Sequence, residues 1–208
     1  PKNLDKSIVG RLPIRFNRDP FYVSQKLKVM PKNGYTSLFK KMINNDKIKI
    51  CLNTSYEDIK GHVKPKIATI YTGPPDTFFK YKHGKLQWRS LEFKFETKKK
   101  EKIQECVQIN FPNDKKYTRK VEIKHVTKQK SKYSTLSYEF PKSKGDPYYP
   151  INDKRNIGIF KRYEKLIKKL EKKHVYFEGR LAKYKYLNMD EVIERALNLF
   201  NKLKRKYN

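Results

Sequence analysis

Residues 91–97 read LEFKFET, and three later stretches share the same period of two: residues 106–111 (CVQINF), 118–126 (TRKVEIKHV) and 133–140 (YSTLSYEF). Successive side chains point to opposite faces of a strand, so such alternation marks strands with one face turned to a core. The connections between them are polar and short. Parallel neighbours need crossovers of a dozen residues or more, whereas antiparallel ones do not. The pattern therefore predicts four successive antiparallel strands joined by short links.

Upstream the signals are mixed. RLPIRF (residues 11–16) is short, alternating and carries two arginines. In PKNGYTSLFKKMI (residues 31–43) a Pro and Gly turn leads into a predicted helix with Leu38, Phe39 and Met42 on one face. KIKICLN (residues 47–53) alternates like a strand, and KIATIYTGPP (residues 66–75) reads as a second one stopped by a Gly–Pro turn. Downstream of residue 153 the period becomes helical. NIGIFKRYEKLIKKLEKK places Ile157, Phe160, Tyr163, Ile167 and Leu170 on one face, opposite lysines. HVYFEG is a short strand. MDEVIERALNLFNKLKRK repeats apolar residues at Met189, Val192, Ile193, Ala196, Leu197, Phe200 and Leu203. Asn188 and Glu191 make a capping-box-like start, with a second acid at Asp190, and Lys202, Lys204, Arg205 and Lys206 complement the dipole at the far end. The class expected is α+β: an antiparallel sheet domain plus the C-terminal elements of an incomplete α/β domain.

Composition narrows the function classes. Of 208 residues, 37% are hydrophobic and 13% aromatic, too many for a disordered tail. The 51 Lys and Arg against 21 Asp and Glu give a net charge of +30, which predicts attraction to polyanions. Mean hydropathy is −0.94, and no apolar run approaches the ~20 residues of a membrane span. The opening PKNLDKSIVGRLP lacks the apolar region of a secretory signal. Cys51 and Cys106 sit in strand-like apolar runs and are expected as buried thiols in a reducing, cytoplasmic setting. The four histidines have no metal-ligand spacing, so no metal site is expected.

Seven strings, in order across nearly the whole chain, carry a family resemblance: RLPIRF, MPKNGYTSLFKKM, IYTGPPD, WRSLEFKFET, YTRKVEIKH, DPYYPIND and GRLAKYKYLNMDEVI. The sequence resembles the UDP-galactopyranose mutases. The resemblance implies FAD, required in its reduced form, as a nucleophile toward the anomeric carbon of UDP-galactose. Through a flavin N5–sugar adduct it interconverts the pyranose and furanose forms without net redox change. It further implies that residues 1–30 enter the sheet domain, 31–84 form part of an FAD-binding α/β layer, 85–150 form the substrate-side antiparallel sheet, and 151–208 complete the FAD-binding domain. A homodimer is a further expectation.

Residue by residue, the resemblance assigns Arg15 and Arg119 to the substrate diphosphate as catalytic groups, which suits the permanent charge and bidentate fork of arginine. Arg89 and Asn110 fall at positions that face the substrate, and Tyr149 and Tyr186 at positions whose hydroxyls contact the diphosphate. Thr54, Gly73, Gly179, Arg180, Asn188, Met189, Asp190 and Val192 fall at cofactor-facing positions. The chain departs from the family at Leu27 and Asn188, where members usually carry Tyr and Asp. By composition alone these would be ordinary surface residues and packing tyrosines. A second reading therefore stays open, a shortened mutase relic acting as a basic nucleic-acid-binding module, and a glycan-binding protein is a third.

No G-x-G-x-x-G turn occurs in the 208 residues. That turn cradles the pyrophosphate of a dinucleotide. The purified chain alone is accordingly expected not to retain FAD at micromolar concentration. A stoichiometric flavin spectrum from such a preparation would overturn this.

Overall fold

The computed structural model describes residues 16, 18 and 29–207. Along these the chain forms α1 (Gly34–Ile43), α2 (Tyr56–Ile59), β1 (Thr69–Tyr71), α3 (Pro75–Phe78), β2 (Trp88–Lys98), β3 (Gln108–Asn110) and β4 (Arg119–Val121). It continues with α4 (Lys124–Thr127), β5 (Ser134–Lys142), β6 (Tyr149–Pro150), α5 (Lys154–Glu171), β7 (Val175–Phe177) and α6 (Met189–Tyr207). The class is α+β, as expected. Two units are distinguished, one built from residues 56–90 and 143–207, the other from residues 29–55 and 91–142.

The first unit is organised by α5. Its buried residues Ile159, Tyr163 and Ile167 recur every four positions and form one stripe. Ile159 and Tyr163 pack with Leu86 and Tyr184, while Ile167 packs with Phe177 and Ala182. Phe79 stacks on both Tyr163 and Phe177, at centroid distances of 5.8 and 5.9 Å. Ile159 is buried where the sequence pattern had favoured Ile157, which is only half-buried. The Tyr163 hydroxyl donates to the Gly84 carbonyl (2.8 Å) and accepts from the His83 N–H (3.0 Å). Asp153 caps α5 by accepting from the Asn156 N–H (2.7 Å), and the buried Asn156 side chain accepts from the Gln87 N–H (3.2 Å). Strand β1 pairs with β7 in parallel, Tyr71 opposite Phe177.

Helix α6 begins as the capping box predicts, with the Asn188 N–H donating to the Glu191 carboxylate (2.7 Å). None of its residues is buried, and Met189, Ile193, Leu197 and Phe200 form an exposed apolar stripe.

In the second unit the strand order is β3-β4-β5-β2, antiparallel between β3 and β4 and between β4 and β5. The expectation of short links between successive neighbours is corrected here. β2 lies beside β5, not β3, because residues 99–107 cross over. The stretch 118–126 is also not one strand, since β4 ends at Val121 and its second half turns into α4. KIKICLN is a run of turns and coil, with Ile48, Ile50 and Leu52 exposed. Among the described residues it has no strand to pair with, and alternation alone cannot supply one. Both cysteines are exposed, which corrects their placement in the core. Leu38, Phe39 and Met42 fall on α1 but are exposed there as well. Among the described residues no helix is long and apolar enough to cross a membrane, and none of their side chains forms a metal-holding cluster.

Glu122 is the buried anchor of this unit. Its carboxylate accepts from the Ser134 hydroxyl (2.5 Å), the Gln104 N–H (2.8 Å) and the Ile103 N–H (3.0 Å). Burial by itself pushes the carboxyl up. The Ser134, Gln104 and Ile103 donors and the nearby His125 outweigh that and hold it below the ordinary glutamate range. On the sheet, the Tyr138 hydroxyl is pushed up to about 12, by burial and by the Glu96 carboxylate it donates to.

Two outcomes follow. Tyr163→Phe removes two hydrogen bonds to half-buried backbone groups, the His83 N–H and the Gly84 C=O, costing about 1–2 kcal/mol. Calorimetry should show a lower Tm, by about 2–4 °C for each kcal/mol. For Glu122 the folded pKa lies below the unfolded value of about 4.3, so its stabilisation is complete above that pH. It is lost as pH falls through the lower, folded pKa. Urea unfolding of Glu122→Gln should show a deficit at neutral pH that narrows as both proteins are acidified. A constant deficit at all pH values would show that the charge is not what stabilises.

Candidate functional site

Arg119 opens β4, directly opposite Asn110 on β3 and Glu139 on β5. Residues facing each other across antiparallel strands project to the same side of the sheet. The Arg119 Nε donates to the Asn110 side-chain oxygen (3.3 Å), and its guanidinium lies 3.4 Å from the Glu139 carboxylate. Gln108 donates to the same Asn110 oxygen (3.0 Å). The guanidinium is thus aimed from two neighbouring strands while about a third of the side chain stays open to solvent. Two residues assigned from sequence are brought together here. Glu139, which braces Arg119, went unremarked in the sequence because an acid on an alternating strand looks like any other.

In the first unit a second group assembles around Arg180. The Tyr149 and Tyr186 rings stack with centroids 5.4 Å apart and planes within 6°. The Arg180 guanidinium lies 4.3 Å from the Tyr186 ring centre and 5.3 Å from that of Tyr149. It donates to the Tyr148 carbonyl and, at 3.5 Å, to the Leu187 carbonyl. A cation over two ring faces is a favourable electrostatic arrangement, and it fixes where both rings stand. Arg89 sits opposite Tyr149 in the β2–β6 pair and is exposed.

Arg180 follows a turn whose position matters. β1 and β7 run parallel, and Gly73 and Gly179 each lie two residues beyond the carboxyl end of their strand. Ligands of parallel α/β sheets bind outside those ends. A side chain at Gly73 would collide with the Tyr71 ring, since a Cβ there would stand 2.5 Å from the Tyr71 hydroxyl. Gly179 has φ +103°, in the left-handed region that favours glycine, and faces Thr72. Its N–H donates to the Glu178 carboxylate (3.1 Å), which also pairs with Arg195 (3.2 Å) and Lys183 (3.8 Å). Glu178 was another residue that sequence reasoning passed over.

The Arg180 bond to Leu187 ties this turn to the start of α6, where Asn188, Met189, Asp190 and Val192 lie. A left-handed glycine turn, a fixed cation and a helix N-terminus fit a flat, electron-rich cofactor edge. Thr54 is elsewhere, in the second unit, with its hydroxyl donating to the Leu52 carbonyl (2.9 Å). Arg15 and Leu27 lie outside the described residues.

Comparison with known proteins accords with these motifs. The family model described as UDP-galactopyranose mutase matches residues 1–186. The chain is 35% identical to a dTDP-fucopyranose mutase of Escherichia coli, over 95% of this chain and 54% of that protein. It is 33% identical to a probable UDP-galactopyranose mutase of Klebsiella pneumoniae, over 95% of this chain and 51% of that one. For the UDP-galactopyranose mutase of Mycoplasma genitalium the figures are 33%, 91% and 51%. The chain spans about half the length of these relatives. With strings, register and family match in agreement, the chain belongs to the UDP-galactopyranose mutase family.

Proposed function

We propose that the chain supplies the diphosphate-gripping and part of the flavin-facing surface of an FAD-dependent mutase that interconverts UDP-galactopyranose and UDP-galactofuranose. The observation that carries this reading is the bracing of Arg119 by Asn110 and Glu139. A ring interconversion at the anomeric carbon requires the nucleoside diphosphate to leave and return. Negative charge grows on the diphosphate as it departs. A guanidinium already aimed and still accessible stabilises that charge without reorganising. Lysine in its place would offer a point charge without the fork.

Reduced FAD, when bound, supplies the nucleophile for the anomeric carbon and ends the cycle unchanged in redox state. The residues that would hold it are the Gly73 and Gly179 turns, Arg180 and the first turn of α6 (Asn188, Met189, Asp190 and Val192), with Thr54 toward the adenosine. Here the left-handed Gly179 keeps its turn free of a side chain, and the N-terminal N–H groups of a 19-residue helix favour negative charge. Tyr149 and Tyr186 would present hydroxyls to the diphosphate, their rings held by Arg180. Arg89 and Arg15 complete the assignment to substrate. The names of the E. coli and K. pneumoniae relatives differ in nucleoside and sugar but share a nucleoside diphosphate. The grip inferred here reads that shared part, so the sugar is set by other contacts.

The test uses the protein that carries this chain, with reduced flavin. It should turn over UDP-galactofuranose in preference to dTDP-fucofuranose. Arg119→Ala should lower turnover by about 10²–10³-fold, on the scale of one lost electrostatic stabiliser, with Arg119→Lys in between. The flavin-to-protein ratio should not change. Normal turnover by Arg119→Ala, or loss of flavin instead of rate, would refute the assignment.

A further inference from the structure

Mutase chemistry leaves two neighbouring lysine runs of the second unit without a role. Residues 98–102 read KKKEK and residues 128–132 read KQKSK, seven lysines with a single glutamate. In the second unit these loops lie side by side. Lys99, Lys100, Lys130 and Lys132, with Glu101 and Ser131, line an open cleft of about 690 Å³. At the edges of the patch Lys98 meets Glu96 at 3.0 Å, and Lys142 on the same sheet meets Glu92 at 2.5 Å. Among the described residues none of the four cleft lysines has an ion pair.

Like charges gathered this way repel, so the loops need something to hold them together. It comes from one turn, residues 122–125. The Lys124 ammonium donates its three protons to the carbonyls of Glu101 (2.8 Å), Ser131 (2.5 Å) and Tyr133 (3.0 Å), one on the first loop and two on the second. The Glu122 carboxylate takes the Ile103 and Gln104 N–H groups and the Ser134 hydroxyl, so it too bridges both segments. His125 Nε2 adds a contact to the Gln104 carbonyl (2.8 Å). Every anchor falls within or just beyond the lysine loops. The backbone is fixed by three side chains while the cleft lysines stay unpaired. Beside Lys132, Tyr133 is 54% exposed. The Thr97–Thr135 hydroxyl contact (2.9 Å) ties the adjoining ends of β2 and β5, two residues from Lys99 and from Tyr133.

We infer that this cleft binds a single-stranded polynucleotide, with Lys99, Lys100, Lys130 and Lys132 neutralising phosphates and Tyr133 stacking a base. A basic groove next in sequence to an exposed aromatic is the chemistry that tracks single strands irrespective of sequence. The exposed Tyr133 ring offers a base a stacking face, which a bilayer headgroup does not use. The inference is independent of the mutase reading and survives its failure.

The test measures fluorescence anisotropy of a labelled oligothymidylate over a salt series. One variant carries K99Q, K100Q, K130Q and K132Q. A control carries K161Q, K165Q, K168Q and K169Q, on the exposed face of α5 in the other unit, with the same change in net charge. The cleft variant should bind about tenfold more weakly or worse at ~0.05 M salt, with a log–log salt slope reduced by about 2–3. The control should lose less than about threefold in the same salt series. Tyr133→Ala should weaken oligothymidylate binding by about fivefold or more and duplex binding less. Equal losses in the two quadruple variants would show diffuse attraction and overturn the site. Unchanged binding by Tyr133→Ala, or tighter binding to phosphatidylserine vesicles than to the oligonucleotide, would overturn the class of ligand.

Discussion

A chain with 51 basic and 21 acidic side chains folds against its own electrostatic repulsion. Each carboxylate is therefore a scarce element, and several serve more than one partner. Glu178 meets Arg195, Lys183 and the Gly179 N–H. Glu96 meets Lys98 and Tyr138, and Glu92 lies between Lys142 and Lys94. Glu122 gathers two backbone segments and a hydroxyl. Exposed ion pairs contribute little to stability one at a time. Their importance here lies in where they leave charge uncompensated, at the cleft of the second unit. The cores themselves are aromatic and apolar, as in the Phe79, Tyr163 and Phe177 stack.

Backbone geometry, more than any single side chain, positions the candidate groups. In the first unit, parallel pairing of β1 and β7 puts two glycine turns at the same end of the strands. Arg180 then reaches from one of them to Leu187, two residues before α6. In the second unit, cross-strand register alone places Asn110 and Glu139 on either side of Arg119. A shift of one residue would turn that guanidinium to the opposite face of the sheet.

The legibility of the sequence follows from how local each signal is. Helices α5 and α6 were readable because many residues repeat one period and the caps are chemical. Strands β2 and β5 were readable for the same reason. The order β3-β4-β5-β2 was not, because alternation tells which face is apolar and says nothing about the neighbour. The stretch 47–53 misled, since lysines and isoleucines alternate readily in a lysine-rich chain whether or not a partner strand exists. Cys51 and Cys106 were misplaced by the same inference. In the candidate site, Arg119, Asn110, Tyr149 and Tyr186 came from motifs that the residues themselves could not distinguish from surface. Glu139, which braces Arg119, and Glu178, which holds the Gly179 turn, carry no motif and became visible only with register and turn geometry.

The Gly73 turn leans on the core. Tyr71, whose hydroxyl crowds Gly73, also packs against Tyr56, Phe78 and Phe177, at centroid distances of 5.4, 4.9 and 5.2 Å. A larger residue in the turn would therefore push a ring into three others. Over evolutionary time the turn and that aromatic cluster can drift only together. Whatever the turn binds, the glycine would still be inherited, because the contact that keeps it acts on folding.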